Sequence, residues 1–87
     1  MFRFSLGQAL VEEGRPAEAI PHFEFCAARR ADWMMARIFL GKCMLACGQV
    51  DDARRILEAA LALAVAQNHE TPETELRALL SGLRSSG

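Results

Sequence analysis

Apolar residues recur along this chain at intervals of three and four rather than two, a period that predicts helices from one end to the other. The first predicted helix covers about Phe2 to Glu13, with Phe2, Leu6, Ala9 and Leu10 as its inward stripe and Gly14 as a left-handed stop. Pro16 opens the second at a position where its missing donor costs little, and Glu18 sits near the positive end of the dipole. Pro21, about one turn in, removes one backbone hydrogen bond, so a bend or a late start is expected there. Ala19, Phe23, Cys26 and Ala27 face inward, and Arg29 and Arg30 close the helix at its negative end. Asp32 reads as the cap of a third helix that runs from Trp33 to about Cys47 and stops at Gly48. A fourth runs from about Val50 to about Gln67, with Asp51 and Asp52 in its first turn and Leu57, Leu61 and Ala64 along its length. After a turn at Asn68, His69 and Glu70, the residues Thr71, Pro72 and Glu73 read as cap, first position and early acid of a fifth helix. That helix carries Leu76, Leu79, Leu80 and Leu83 at helical spacing before Ser85, Ser86 and Gly87 fray.

The pattern is written twice. At an offset of 34, Leu6 and Gly7 fall on Leu40 and Gly41, Gly14 on Gly48, Ala19 on Ala53, and Phe23 on Leu57. Arg3/Arg37, Glu24/Glu58 and Ala28/Ala62 are further identities, and Phe4/Ile38, Leu10/Met44 and Val11/Leu45 keep apolar character. A repeat of this period is a helix hairpin that cannot bury its apolar face alone and needs neighbours to complete it. The series Leu6, Gly7, Leu10, Gly14, Ala19, Phe23, Cys26, and again Leu40, Gly41, Met44, Gly48, Ala53, Leu57, Ala60, resembles the tetratricopeptide repeat over about three quarters of the chain. Two positions depart from the family pattern. Arg3 and Arg37 stand where an aromatic is usual, which implies looser packing, and Ala31 and Val65 stand where Pro ends a repeat, which implies less sharply set helix boundaries.

The resemblance implies an all-α fold, a right-handed α-solenoid of two hairpins, residues 2–33 and 34–67, with a C-terminal capping helix over 71–84, in a single domain spanning 1–87. The capping helix would cover the apolar face left open by the second hairpin, with Glu75, Arg77 and Arg84 turned to water. It also implies a non-catalytic protein-binding module. The family's inward positions, carried over residue by residue, give a partner-binding groove of Phe4, Gln8, Val11 and Glu12 from the first helix, and Met35, Ile38, Lys42, Leu45 and Ala46 from the third. Phe4 and Ile38 replace the donors that some members use to clamp a terminal carboxylate, which argues against such a clamp here. An amphipathic helix or an extended apolar segment is the better-fitting ligand, with Lys42 reaching an acidic or carbonyl group at its edge. The alternative is homo-oligomerisation: two hairpins and a cap fall short of the three repeats usually needed, and an apolar groove would suit a second copy of the chain.

Composition narrows the remaining classes. With 87 residues, 52% of them apolar and none of them Tyr, the chain suits close-packed helices. A domain of this size buries only about 60–65% of its unfolded surface, so it is expected to be marginal alone. A net charge of -1 gives no footprint for a phosphate backbone and argues against nucleic acid. No apolar run approaches the roughly 18–20 residues of a membrane span, and Met1-Phe2-Arg3-Phe4 lacks the features of a signal peptide, so a cytoplasmic setting is expected. The chain also opens inside a helical pattern with no capping residue before it, as a piece of a longer array would.

The chemistry-bearing residues have plainer explanations. His22 and Cys26 are four apart, as are Cys43 and Cys47, and two such pairs on adjacent helices would offer zinc a tetrahedral set. Cys26 and Cys43 nevertheless occupy slots filled by Ala60 and Ala9 in the other repeat, so packing is the preferred reading and no metal or other cofactor is expected. Three Cys cannot all pair within the chain, which fits a reducing compartment. His69 beside Glu70 lies in a polar turn, and no motif makes a nucleophile or a general base, so no catalytic residue is assigned. Arg54 and Arg55 are expected to pair with Asp51 and Asp52 one turn earlier.

Overall fold

The computed structural model describes residues 2–86, with side chains over residues 2–83. It contains α1 (Phe2–Glu12), α2 (Pro16–Arg29), α3 (Met34–Ala46), α4 (Val50–Ala66) and α5 (Glu70–Ser86), and no strand occurs among the described residues. Each helix packs chiefly on its neighbours in the chain, as in an α-solenoid.

Three of the four connections are one structure repeated. Gly14, Gly48 and Asn68 have φ of 75°, 79° and 57°. At each, the left-handed residue donates its N–H back to the helix, Gly14 to the Val11 carbonyl, Gly48 to Leu45 and Asn68 to Val65. The following N–H then reaches five residues back, Arg15 to Leu10 at 2.8 Å, Gln49 to Met44 at 2.8 Å and His69 to Ala64 at 2.9 Å. This double closure satisfies carbonyls that a helix end leaves without partners. Asn68 fills the role because its short polar side chain tolerates the left-handed region better than most. The α2–α3 link is different: the Arg30 N–H donates to the Cys26 carbonyl and the Trp33 N–H to the Arg30 carbonyl, with no left-handed residue.

Inside each hairpin a glycine admits a large side chain. A Cβ built on Gly7 would lie 2.7 Å from the Phe23 ring, and one on Gly41 would lie 2.5 Å from the Leu57 side chain. Phe23 and Leu57 are fully buried, beside the equally buried Ala19 and Ala53. Burying an apolar side chain of this size contributes about 1.5–3 kcal/mol. The core divides into two clusters along the stack. One holds Ala19, Phe23, Leu40, Cys43, Met44 and Ala53, and the other holds Met34, Ile38, Leu57, Ala60, Ala64, Leu76 and Leu80. Leu76 and Leu80 of α5 therefore complete the second cluster against α3 and α4, while Glu75 and Arg77 are exposed. The side chain of Arg84 lies outside the described residues.

Several local expectations are corrected. Of the stripe expected for α1, Leu10 packs against the core, but Phe2 is 78% exposed, Leu6 is 39% exposed, Ala9 is exposed, and Gly7 is the buried residue. The half-buried positions are Phe4, Gln8, Leu10 and Val11, a face centred on a glycine that a hydropathy count passes over. The same positions one repeat later are covered, Ala36 at 0% and Leu40 at 2%, because α2 packs against α3 and no described helix precedes α1. Asp32 does not cap α3, which begins at Met34 after Trp33 with no side-chain capping bond. α2 runs unbroken through Pro21, as expected, and it begins at Pro16 with no late start. α5 starts at Glu70, ahead of the expected Thr71 cap. The N–H groups of a first turn have no intrahelical partner, so Pro72 fits inside that turn without breaking a bond.

Candidate functional site

Helix α3 lies between α1 and α5, and a shallow depression opens on each side of it. The first, about 290 Å³, is lined by Val11, Gly14, Pro16, Phe39, Lys42, Cys43 and Ala46. The second, about 470 Å³, is lined by Ile38, Lys42, Glu75, Leu76, Ala78 and Leu79. Lys42, the chain's single lysine, is common to both, so the two hollows, together the trough, share one exposed cation on α3. Among the described residues Lys42 has no ion-pair partner, and Glu75 on the opposite wall has none either. The trough thus offers apolar walls with one free positive and one free negative group at its rim.

The residues expected from the sequence divide between trough and core. Val11, Lys42 and Ala46 line the trough. Ile38 forms part of its wall but is only 7% exposed and packs in the second cluster with Leu57 and Leu76. Phe4 is a packing residue. Its ring stacks on Trp33 with centroids 4.8 Å apart and meets Phe23 and Phe39 edge-on at 5.6 and 5.5 Å, while Phe23 stacks on Phe39 at 5.3 Å. Such aromatic pairs contribute about 0.5–1.5 kcal/mol each beyond their buried area. Leu45 is half-buried and touches both clusters, Gln8 is half-buried, and Glu12 and Met35 are exposed away from the lining of either depression.

Phe39 and the α5 residues Glu75, Leu76, Ala78 and Leu79 were not foreseen as trough residues. A signal for the α5 wall was present. Adding the repeat offset once more to Val11 and Leu45 gives Leu79, so α5 supplies the third rung of that ladder.

The candidate chemistry elsewhere does not assemble. No group of three or more His, Cys, Asp or Glu among the described residues is placed to hold a metal ion. His22 Nδ1 is buried without a hydrogen-bond partner, and Cys26, Cys43 and Cys47 are free thiols. Burial pushes the Cys43 thiol above its ordinary range, with the nearby Cys47 sulfur adding to the effect, so Cys43 is a neutral packing group. Arg54 and Arg55 pair with Asp51 and Asp52 as their spacing implies. No helix among the described residues is long and apolar enough to cross a membrane.

Helix hairpins stacked in sequence, with a glycine contact in each and a trough across the middle helix, define a helical-repeat protein of the interaction type. The tetratricopeptide repeat model matches residues 10–81, and the chain belongs to that family. The crystal structure of PcrH from Pseudomonas aeruginosa is similar, with a TM-score of 0.88 and 24% sequence identity over 95% of this chain. The chain spans 64% of the length of PcrH. No curated protein matches it significantly in sequence. Membership of that family makes the chain a protein-protein interaction module.

Proposed function

We propose that the chain binds, without catalysis, an amphipathic helix or extended apolar segment of a protein partner in the trough along α1, α3 and α5. The observation that carries this reading is the pair of apolar depressions joined at Lys42. Two apolar side chains of a ligand would enter the two hollows, and Lys42 and Glu75 would fix its direction through a carboxylate and a cation or donor. The groove residues proposed for contact are Val11, Phe39, Lys42, Ala46, Glu75, Ala78 and Leu79. A net charge of -1 and a single lysine in the trough favour a protein over a nucleic acid. Three free thiols favour a reducing, cytoplasmic setting.

The test uses exposed lining residues, since a charge at buried Ile38 would break the core. Immobilised chain captures partners from the native lysate, and each captured protein is titrated against the wild type and an Ala46→Arg, Ala78→Arg double variant. Retained helicity with loss of binding supports the reading; unchanged affinity for every captured protein overturns it. Homo-oligomerisation is a second reading, supported by the exposed apolar end of α1 and α2 at Phe2, Leu6 and Phe25. It requires sedimentation to show a dimer that Leu6→Asp dissociates and the double variant does not.

A further inference from the structure

A separate hollow of about 390 Å³ lies between the N-terminal end of α1 and the C-terminal end of α2, lined by Phe2, Arg3, Phe25, Cys26, Arg29, Arg30 and Trp33. It shares no residue with the trough. Three guanidinium groups lie over its aromatic walls: Arg3 is 4.1 Å and Arg29 5.5 Å from the Phe25 ring centroid, and Arg30 is 5.6 Å from that of Trp33. A guanidinium held over a ring keeps its N–H groups available for a carboxylate fork.

The chain's other described arginines are all engaged. Arg15 pairs with Glu13 and Glu18, Arg54 with Asp51, Arg55 with Asp52 and Arg77 with Glu73, while Arg37 donates to the Ala31 carbonyl. Arg3, Arg29 and Arg30 are the described arginines that meet no carboxylate or carbonyl. The negative end of α2 accounts for Arg29 and Arg30. It does not account for Arg3, which stands in the first turn of α1, where the helix dipole disfavours a cation and no acidic residue is present. Three unmatched positive charges therefore converge on exposed aromatic surface, Phe2 at 78% and Phe25 at 40%. In a chain of net charge -1, that concentration is local.

We infer that this hollow binds an acidic segment of a protein partner, its carboxylates forked by Arg3, Arg29 and Arg30 and its apolar side chains laid on Phe2, Phe25 and Trp33. Charge complementarity selects that occupant, and the guanidinium edges select carboxylates in pairs.

Trp33, the single tryptophan, lines the hollow and reports on it. The protein is titrated with a short acetylated, amidated peptide alternating Glu and Leu, and with the same peptide carrying Gln for Glu, following Trp33 fluorescence. The Glu peptide saturates the signal and the Gln peptide binds at least about tenfold more weakly. Arg3→Glu and Arg29→Glu each weaken the Glu peptide at least about tenfold, while Arg77→Glu, the same change of charge on α5, stays within about twofold. Arg3→Glu places an acid where the α1 dipole favours one, so the fold is retained, and far-ultraviolet circular dichroism checks this. The proposal is overturned if the two peptides bind alike or not at all, or if Arg77→Glu weakens binding as much as Arg3→Glu. It is equally overturned if inorganic phosphate or oligothymidylate displaces the peptide as a specific ligand would, or if Arg3→Glu dissociates a dimer of the chain.

Discussion

Gly41 and Leu57 are in such close contact that a methyl group on the glycine would sit 2.5 Å from the leucine side chain. Leu57 is fully buried and cannot step aside, and Gly7 stands in the same relation to the ring of Phe23. An alanine in mid-helix ordinarily gains roughly 0.5–1 kcal/mol over glycine. Here the overlap dominates: Gly41→Ala and Gly7→Ala are each expected to destabilise by about 1–3 kcal/mol. Gly82 on α5, with nothing within 4 Å of its Cβ position, should show the opposite sign on the same substitution. Thermal midpoints of the three variants decide this. If the overlap is the cause, Leu57→Ala combined with Gly41→Ala costs less than the sum of the two.

The left-handed turns give a second test. Gly14→Ala and Gly48→Ala meet no neighbour, yet each forces a Cβ into φ near 75–79° and should cost about 1 kcal/mol or more. Asn68→Gly should be neutral or stabilising at φ 57°, and Asn68→Ala destabilising. Urea midpoints measure all four. Equal effects of Ala at Gly14 and Gly82 would refute the backbone argument.

The turns were legible in the sequence because glycine and asparagine are required by backbone geometry, which needs no knowledge of neighbours. The hairpin contacts were legible as a repeat, since Gly7/Phe23 and Gly41/Leu57 keep the offset. What failed was the bearing of α1. Phe2 and Leu6 look like core residues by composition, and their equivalents Ala36 and Leu40 are core residues, but only because α2 covers them. The sequence alone does not tell an apolar position with a neighbouring helix from one without. The same gap bears on Phe4 and Ile38: the aromatic cluster around Phe4 and the leucines of α5 around Ile38 draw both side chains into packing, while Ile38 also forms part of the trough wall.

Helix α5 carries much of the second cluster. Leu76 is 2% and Leu80 5% exposed, so Leu76→Ala should destabilise by about 2–5 kcal/mol. Truncation after Asn68 removes both and leaves Met34, Ile38 and Leu57 without their cover. The shortened chain should aggregate or lose its cooperative transition, as read by calorimetry and light scattering. A soluble monomer with an unchanged thermal midpoint would show that α5 is dispensable.

The last prediction concerns alkaline pH. Burial raises the Cys43 thiol above its ordinary value of 9.0, so the folded state holds the proton more tightly than the unfolded chain. The unfolded chain then releases its proton first as pH rises, and the stability contributed by the neutral thiol is fully present below about pH 9 and is lost as pH climbs through the higher folded value. Cys43→Ala, which installs the residue found at Ala9 in the first repeat, removes this titration and should flatten the alkaline fall in urea midpoint relative to the wild type. Mass-spectrometric alkylation at neutral pH gives a companion measurement: Cys43, 3% exposed, should react far more slowly than half-buried Cys47 until denaturant is added. An equal alkaline slope in the variant, or faster labelling at Cys43 than at Cys47 in the folded protein, would show that the thiol is not held as a neutral packing group.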